Sequence, residues 1–176
     1  LGVAYLDEAI ALRKNGIILP IMVMNPDLGN LSEFVHYQLE PEIYSLAALR
    51  EVLLLSQRPP IHLKIDTGMH RLGFTSQDIA PLIQIVREND LKIAGIFTHF
   101  STAENKSEDA FTSAQSEEFE RVYKQISDTL SISPIKYAAN SAAISRFPKY
   151  HYDMVRLGIG LYGFDPTATL NLRPVS

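Results

Sequence analysis

Cysteine is absent from the 176 residues, so these residues hold neither a disulfide framework nor a thiolate metal site. The composition suits a reducing cytosol, and a cytoplasmic location is the expectation. No apolar run reaches the roughly 18 residues that a membrane-spanning helix needs, and no signal-peptide pattern precedes the first helical segment. Basic charge is not concentrated either. Sixteen Lys and Arg, scattered except for the adjacent Arg13 and Lys14, stand among twenty Asp and Glu and leave a net charge of −4, which argues against a nucleic-acid or membrane-surface binder and for a small-molecule partner. His36, His62, His70, His99 and His151 show no paired-ligand spacing such as H-E-x-x-H, and no carboxylate cluster accompanies them, so no metal site is expected. There is no repeat, linker or low-complexity segment. The chain opens at Leu1 on a strand already running into a helix, which suggests an excerpt from a longer polypeptide.

Apolar residues make up 46% of the chain, enough for one core of domain size. Short β-rich runs alternate with helical patterns, the signature of βαβ units around a parallel sheet. Strands are expected at 3–6, 20–25, 37–44, 60–66, 92–100, 135–140 and 154–163. Two helices are well marked by periodicity. Ile79, Leu82, Ile83 and Val86 recur at helical spacing over 79–89, as do Phe119, Val122, Tyr123, Ile126 and Leu130 over 108–130. Asp78 and Ser107 are candidate caps, Glu108 and Asp109 suit a first turn, and Gly16 can close the opening helix. About seven β/α units in one run favour an α/β fold of the (β/α)8 TIM-barrel type, incomplete here because the first strand is missing. Residues 1–176 are read as part of that one domain.

In such a barrel the side chains that do chemistry sit at the C-terminal ends of the strands. The polar residues there are Asn25, Glu42, then Lys64, Asp66 and Arg71 around the fourth strand, and His99 after the fifth. Asn140 and Ser141 end the sixth, and Arg156, Gly158 and Ile159 lie in "MVRLGIGLYG". The run "NSAA" at 140–143 joins a strand to a helical turn whose free amides suit an anion such as phosphate, and the glycines of "RLGIGLYG" allow close backbone approach. Ser141 as a plain helix cap and Gly158 as a packing glycine remain the alternative. Arg156 stands in an otherwise apolar run, so it either pairs with a buried carboxylate or presents donors to a ligand. His99 is open among a satisfied core histidine, a general acid/base and a flat ring stacked on a planar ligand. Ser141 lacks the G-x-S-x-G context of a nucleophile.

The segments "HLKIDTGMHRLGF", "GIFTHFSTAEN", "AANSAAISRFP" and "MVRLGIGLYGFDP", with "MVMNP" and "LEPEIYS" before them, resemble the bacterial alanine racemases over essentially the whole chain. The resemblance implies an isomerase that uses pyridoxal 5'-phosphate to interconvert L-alanine and D-alanine, the latter for peptidoglycan. It further implies a barrel followed by a β domain not included here, and a homodimer. Residue by residue, Arg156 corresponds to the arginine facing the cofactor's pyridine nitrogen. Ser141 with the amides of Gly158 and Ile159 corresponds to the phosphate cup, with Tyr162 packing near it. His99 corresponds to the ring packed against the cofactor, and Asn140 to a residue supporting that arrangement. Arg71 matches the arginine that reaches the cofactor's phenolic oxygen and the substrate carboxylate. Lys64 matches a lysine carbamylated in many members, where the added carboxylate holds that arginine, while Gly68 and Gly73 let the loop between them turn.

The same resemblance marks two groups that do not occur in these residues. The lysine that carries the cofactor belongs to a "KANAYGHG"-like segment expected before Leu1, and the tyrosine that serves as second base belongs to the C-terminal domain. Racemisation needs one base on each face of the α-carbon, so the isolated span is expected to be inactive. Two other readings stand beside the racemase: a pyridoxal-phosphate-binding barrel module without racemase activity, against which "DTGMHRLGF" argues, and a barrel-type amino-acid decarboxylase. The latter pairs the ring nitrogen with a carboxylate, and Arg156 speaks against it.

Overall fold

Alternating apolar runs and helical periods become six strands and six α-helices in the computed structural model of the chain, which describes residues 1–175. The strands are β1 (Gly2–Val3), β2 (Met22–Val23), β3 (Glu40–Ile43), β4 (Ile61–Lys64), β5 (Ile93–Phe97) and β6 (Ile135–Tyr137). The helices are α1 (Leu6–Lys14), α2 (Leu31–His36), α3 (Leu46–Leu53), α4 (Ile79–Asn89), α5 (Asp109–Leu130) and α6 (Ser141–Arg146). The strands hydrogen-bond in the order β1-β2-β3-β4-β5-β6. The register is parallel over β1 to β4, with Gly2 opposite Met22, Val23 opposite Pro41 and Ile43 opposite Leu63. A parallel neighbour reached through a helix is what the βαβ pattern requires.

The chain forms two compact units. The first comprises Leu1–Lys64 and Leu72–Gly95. Its core holds Ile21, Val23, Ile43, Ile61 and Leu63 from the strands, with Ile79, Leu82, Ile83 and Val86 from α4, all buried. The four residues expected on one face of that helix are thus the four that it buries. Gly16 ends α1 as expected, with φ +82 and its amide donating to the Arg13 carbonyl at 3.0 Å.

The second unit comprises Ile65–Arg71 and the chain from Ile96 onward. Phe119, Val122 and Ile126 of α5 are buried with Ile96, Phe97 and Tyr137, and the Phe97 and Tyr137 rings stack at 4.8 Å. Truncating such a residue, as in Phe119→Ala, costs about 3–5 kcal/mol. Tyr123 and Leu130, expected on the same face, are only half-buried.

Three expectations are corrected. The strand over 154–163 shrinks to one bridge between Met154 and Tyr137. The Arg156 amide still donates to Ala139 O at 2.8 Å, but the glycines that follow turn the chain into a 3-10 helix at Ile159–Tyr162, closed by Gly163 at φ +79. Asp78 precedes α4 without capping it. Its carboxylate instead accepts from the Thr75 amide at 2.8 Å and hydroxyl at 2.7 Å. Ser107 is no cap either, because Asn105 Oδ1 accepts from the Ser107 amide at 3.1 Å and opens the turn before α5.

Candidate functional site

The end of β5 places Thr98 and His99 just past the last ladder residue, Phe97. Arg156 reaches this segment from the stretch after Met154. Its Nη2 donates to the carbonyls of Thr98 at 3.0 Å and Ala138 at 3.0 Å, and lies 3.2 Å from His99 Nδ1. Its guanidinium carbon stands 5.3 Å from the centre of the Phe97 ring. Arginine only donates, so in this contact His99 Nδ1 is on the accepting side. His99 and Arg156 are half-buried, which leaves each a face toward solvent or a ligand. The geometry ties Arg156 to two backbone carbonyls and sets it against the His99 ring.

The second cluster forms around Ser141, the first residue of α6. Its Oγ accepts from the amides of Gly158 at 3.1 Å and Gly160 at 3.2 Å. Ser141 is not the helix cap: Asn140 is, with Oδ1 accepting from the Ala143 amide at 3.0 Å while its Nδ2 donates to Phe100 O at 3.2 Å. Asn140 therefore ties α6 to the segment that carries His99. The close approach falls on Gly160 rather than Gly158. A Cβ on Gly160 would lie 2.6 Å from Leu157 Cδ1 and 3.5 Å from Ser141 Oγ, whereas one on Gly158 would meet nothing within 4 Å. Beside the amide of Gly158, that of Gly160 also donates to Ser141 Oγ. Ile159 is 50% exposed and Tyr162 is 72% exposed.

Arg71 sits in the loop after β4. Asp66 shapes the loop by accepting from the amides of Gly68 at 2.9 Å and His70 at 3.0 Å. Gly68 and Gly73 adopt φ +137 and +140, so both turns need glycine. Arg71 is exposed, and no hydrogen bond or ion pair ties it to another described residue.

Lys64 belongs to the other unit. It is 8% exposed, and its Nζ donates to Glu42 Oε1 at 2.9 Å. One layer below, His62 Nε2 lies 2.7 Å from Glu40 Oε2. Residues two apart on a strand share a face, so β3 offers two carboxylates to two basic groups of β4. The buried Glu42 was legible as a strand-end acid, but its partner was not.

Sequence reasoning missed Thr67, Thr98 and Gln115. Gln115 is buried on α5 and donates to His99 O at 3.2 Å, and Thr98 Oγ1 lies 2.8 Å from Thr67 Oγ1. The available signal was a polar residue four positions before Phe119, on the buried stripe. Among the described residues no group of three or more His, Asp and Glu is placed to hold a metal ion, and no helix is long and apolar enough to cross a membrane.

With this geometry in place, the chain can be set beside known proteins. The family model described as "Alanine racemase, N-terminal domain" matches residues 1–166. The chain belongs to the alanine racemase family. "Alanine racemase 1" of Oceanobacillus iheyensis is 37% identical over 173 residues, covering 94% of this chain and 46% of the relative. The alanine racemase of Prochlorococcus marinus is 38% identical, covering 97% of this chain and 46% of the relative. The solved alanine racemase of Clostridium difficile superposes with a TM-score of 0.88 at 32% identity, covering 99% of this chain and 51% of that one. The chain thus spans about half the length of the racemases it matches. Its fold is the racemase N-terminal barrel, an α/β fold of the (β/α)8 type that is incomplete over these residues. A second structure of the Clostridium difficile racemase, similar at 31% identity and a TM-score of 0.87, is a complex with cycloserine.

Proposed function

We propose that this chain is the cofactor-holding part of a pyridoxal-phosphate-dependent alanine racemase, an isomerase interconverting L-alanine and D-alanine in the cytoplasm to supply peptidoglycan, and working as a homodimer. The observation that carries the reading is the Arg156 Nη2 contact with His99 Nδ1 at 3.2 Å, built on the same segment that Asn140 ties to α6. The residues fit the cofactor at two points. Ser141 Oγ accepts from the amides of Gly158 and Gly160, which brings one hydroxyl and two backbone donors together beside a residue without a Cβ, the kind of groups that a phosphate recruits. Arg156 presents donors to a ring nitrogen and His99 a flat face to a planar ring.

When bound, the cofactor supplies an electron sink for the charge left on the substrate α-carbon. The rest is the work of the chain. Arg156 does not give up its proton near neutral pH, so a ring nitrogen beside it stays unprotonated and the sink is weaker than with a carboxylate partner, which disfavours transamination. The Thr98 and Ala138 carbonyls fix the direction of its donors. Arg71, exposed and tied by no hydrogen bond or ion pair to another described residue, is the group for the substrate carboxylate and the phenolic oxygen. Lys64 is a supporting group whose charge is answered by Glu42. Its carbamylated form would replace that ion pair with two facing carboxylates, so the two forms compete. The groups that move protons at the α-carbon come from elsewhere in the polypeptide, and these residues bind and orient.

The test is racemisation of enantiopure alanine by the full-length protein with added pyridoxal phosphate. Loss of optical activity without loss of alanine is the expected result. Carbon dioxide release would instead favour a decarboxylase, and cofactor binding without turnover a binding module.

A further inference from the structure

The buried face of α5 changes character along its length. Toward the C-terminus it is apolar, with Phe119, Val122 and Ile126, but its first turns bury Thr112, Gln115 and Ser116. Gln115 is 1% exposed, and burying an amide with unfilled groups is costly. Here all four positions of the amide are filled. Oε1 accepts from the Ser101 amide at 3.1 Å and the Ser101 hydroxyl at 3.3 Å. Nε2 donates to His99 O at 3.2 Å and to Thr67 Oγ1 at 3.4 Å.

The polarity of the network follows from proton counting. Thr98 Oγ1 has one proton and donates it to Ile65 O at 2.9 Å. At the 2.8 Å contact between the two hydroxyls, Thr67 must therefore donate and Thr98 accept. Thr67 Oγ1 in turn accepts from Gln115, so the chain of donors runs one way, from α5 through Thr67 and Thr98 to Ile65. A reversed amide would set Oε1 against the His99 carbonyl and Nε2 against the Ser101 amide, so one orientation alone satisfies every partner. The loop after β4 sits on the same helix: a Cβ on Gly68 would lie 3.0 Å from Phe111 Cζ and 3.6 Å from Gln115 Cγ.

We propose that Gln115 is a positioning residue, holding the backbone from Thr98 to Ser101 so that the His99 ring and the Thr98 carbonyl meet Arg156. This rests on the reading of His99 and Arg156 as groups that face the cofactor. A leucine would fill the buried stripe as well as any residue if core packing were the only demand. Instead the amide makes its bonds to residues 67, 99 and 101, which lie in the segments following β4 and β5, and none to its own helix. Any displacement of the 98–101 segment reaches Arg156 directly, because Thr98 O accepts from Nη2 at 3.0 Å.

The experiment compares Gln115→Glu, Gln115→Met and Thr67→Val with the wild type in the full-length protein without cofactor. The readouts are 15N resonances of labelled histidine, with His99 assigned by its loss in His99→Asn, and amide exchange at Ser101. Glutamate is nearly isosteric but cannot donate to His99 O when ionised, and it reverses the polarity at Thr67. The expected result is a shifted His99 Nδ1 resonance and about tenfold faster Ser101 exchange in both Gln115 variants, with helix content unchanged. Thr67→Val, which leaves the bonds to His99 and Ser101 intact, should shift the resonance less and keeps the test decisive if the Gln115 variants do not fold. Wild-type resonances and wild-type exchange in the folded Gln115 variants, or an unmoved His99 resonance in Thr67→Val where those do not fold, would overturn the proposal. A moved resonance with unchanged affinity for pyridoxal phosphate would uphold the positioning and count against His99 as a cofactor-facing ring.

Discussion

Lys64, which ends β4, and Arg156, two residues past the Met154 bridge, are both cations, and the protein treats them differently. Lys64, on β4 in the first unit, is buried and answered by the Glu42 carboxylate at 2.9 Å. Arg156, in the second unit, is half-buried and donates to the carbonyls of Thr98 and Ala138 and to the His99 ring. A carboxylate partner neutralises a charge, whereas carbonyl and imidazole partners mainly set its direction. The first arrangement makes a support and the second aims a group. The aimed group is the one to change for chemistry, and the neutralised one for stability.

The largest effect is expected at Arg156. Arg156→Glu in the full-length enzyme removes an aimed donor and puts a carboxylate where the ring nitrogen would face it. Racemisation should fall by about two to three orders of magnitude, and the share of transamination product should rise. An unchanged product ratio would put the aimed role in doubt. Next comes Glu42→Gln, which leaves the Lys64 ammonium buried beside a neutral amide. Stability should drop by about 3 kcal/mol, read as a lower thermal midpoint, and Lys64→Met added to it should restore much of the loss. If the double variant is no more stable than the single one, the pair is not what holds Lys64.

The smallest effect lies in the second unit. Tyr152 packs its ring 4.3 Å from Lys136 Nζ and shares a 2.7 Å hydrogen bond with Ser116. Burial pushes its phenol well above the usual value, with Glu120 adding to the rise and the Ser116 bond opposing it. A raised folded-state value means that the native state keeps its proton while the unfolded chain loses one above about pH 10. The contribution is complete below that pH and lost as the pH rises through the folded value. Tyr152→Phe should therefore flatten the fall in stability above about pH 10 in urea titrations, and an unaltered slope would show that the phenol is not responsible.

Much of this was legible in the sequence for definite physical reasons. Helical spacing named the four buried residues of α4 because an amphipathic period reports which face is covered. His99, Asn140, Ser141 and Arg156 were visible as polar residues at strand ends. Partners were harder to see. Gln115 and Thr67 are 48 residues apart, and periodicity reports burial without saying what lies opposite. The stretch 154–163 looked like a strand because it is apolar, yet its glycines let the chain turn toward Ser141 after a single bridge. Which glycine of "RLGIGLYG" makes the close approach could not be read for a similar reason, since the need for a missing Cβ arises only where two segments meet.

The most direct test of the account is the affinity of the full-length protein for pyridoxal phosphate, measured by visible absorbance in the wild type and in Ser141→Ala. Removing the hydroxyl on which the Gly158 and Gly160 amides converge should weaken binding about tenfold, a loss of roughly 1.4 kcal/mol, with turnover at saturating cofactor nearly retained. Wild-type affinity in Ser141→Ala would contradict the claim that this convergence is a phosphate cradle.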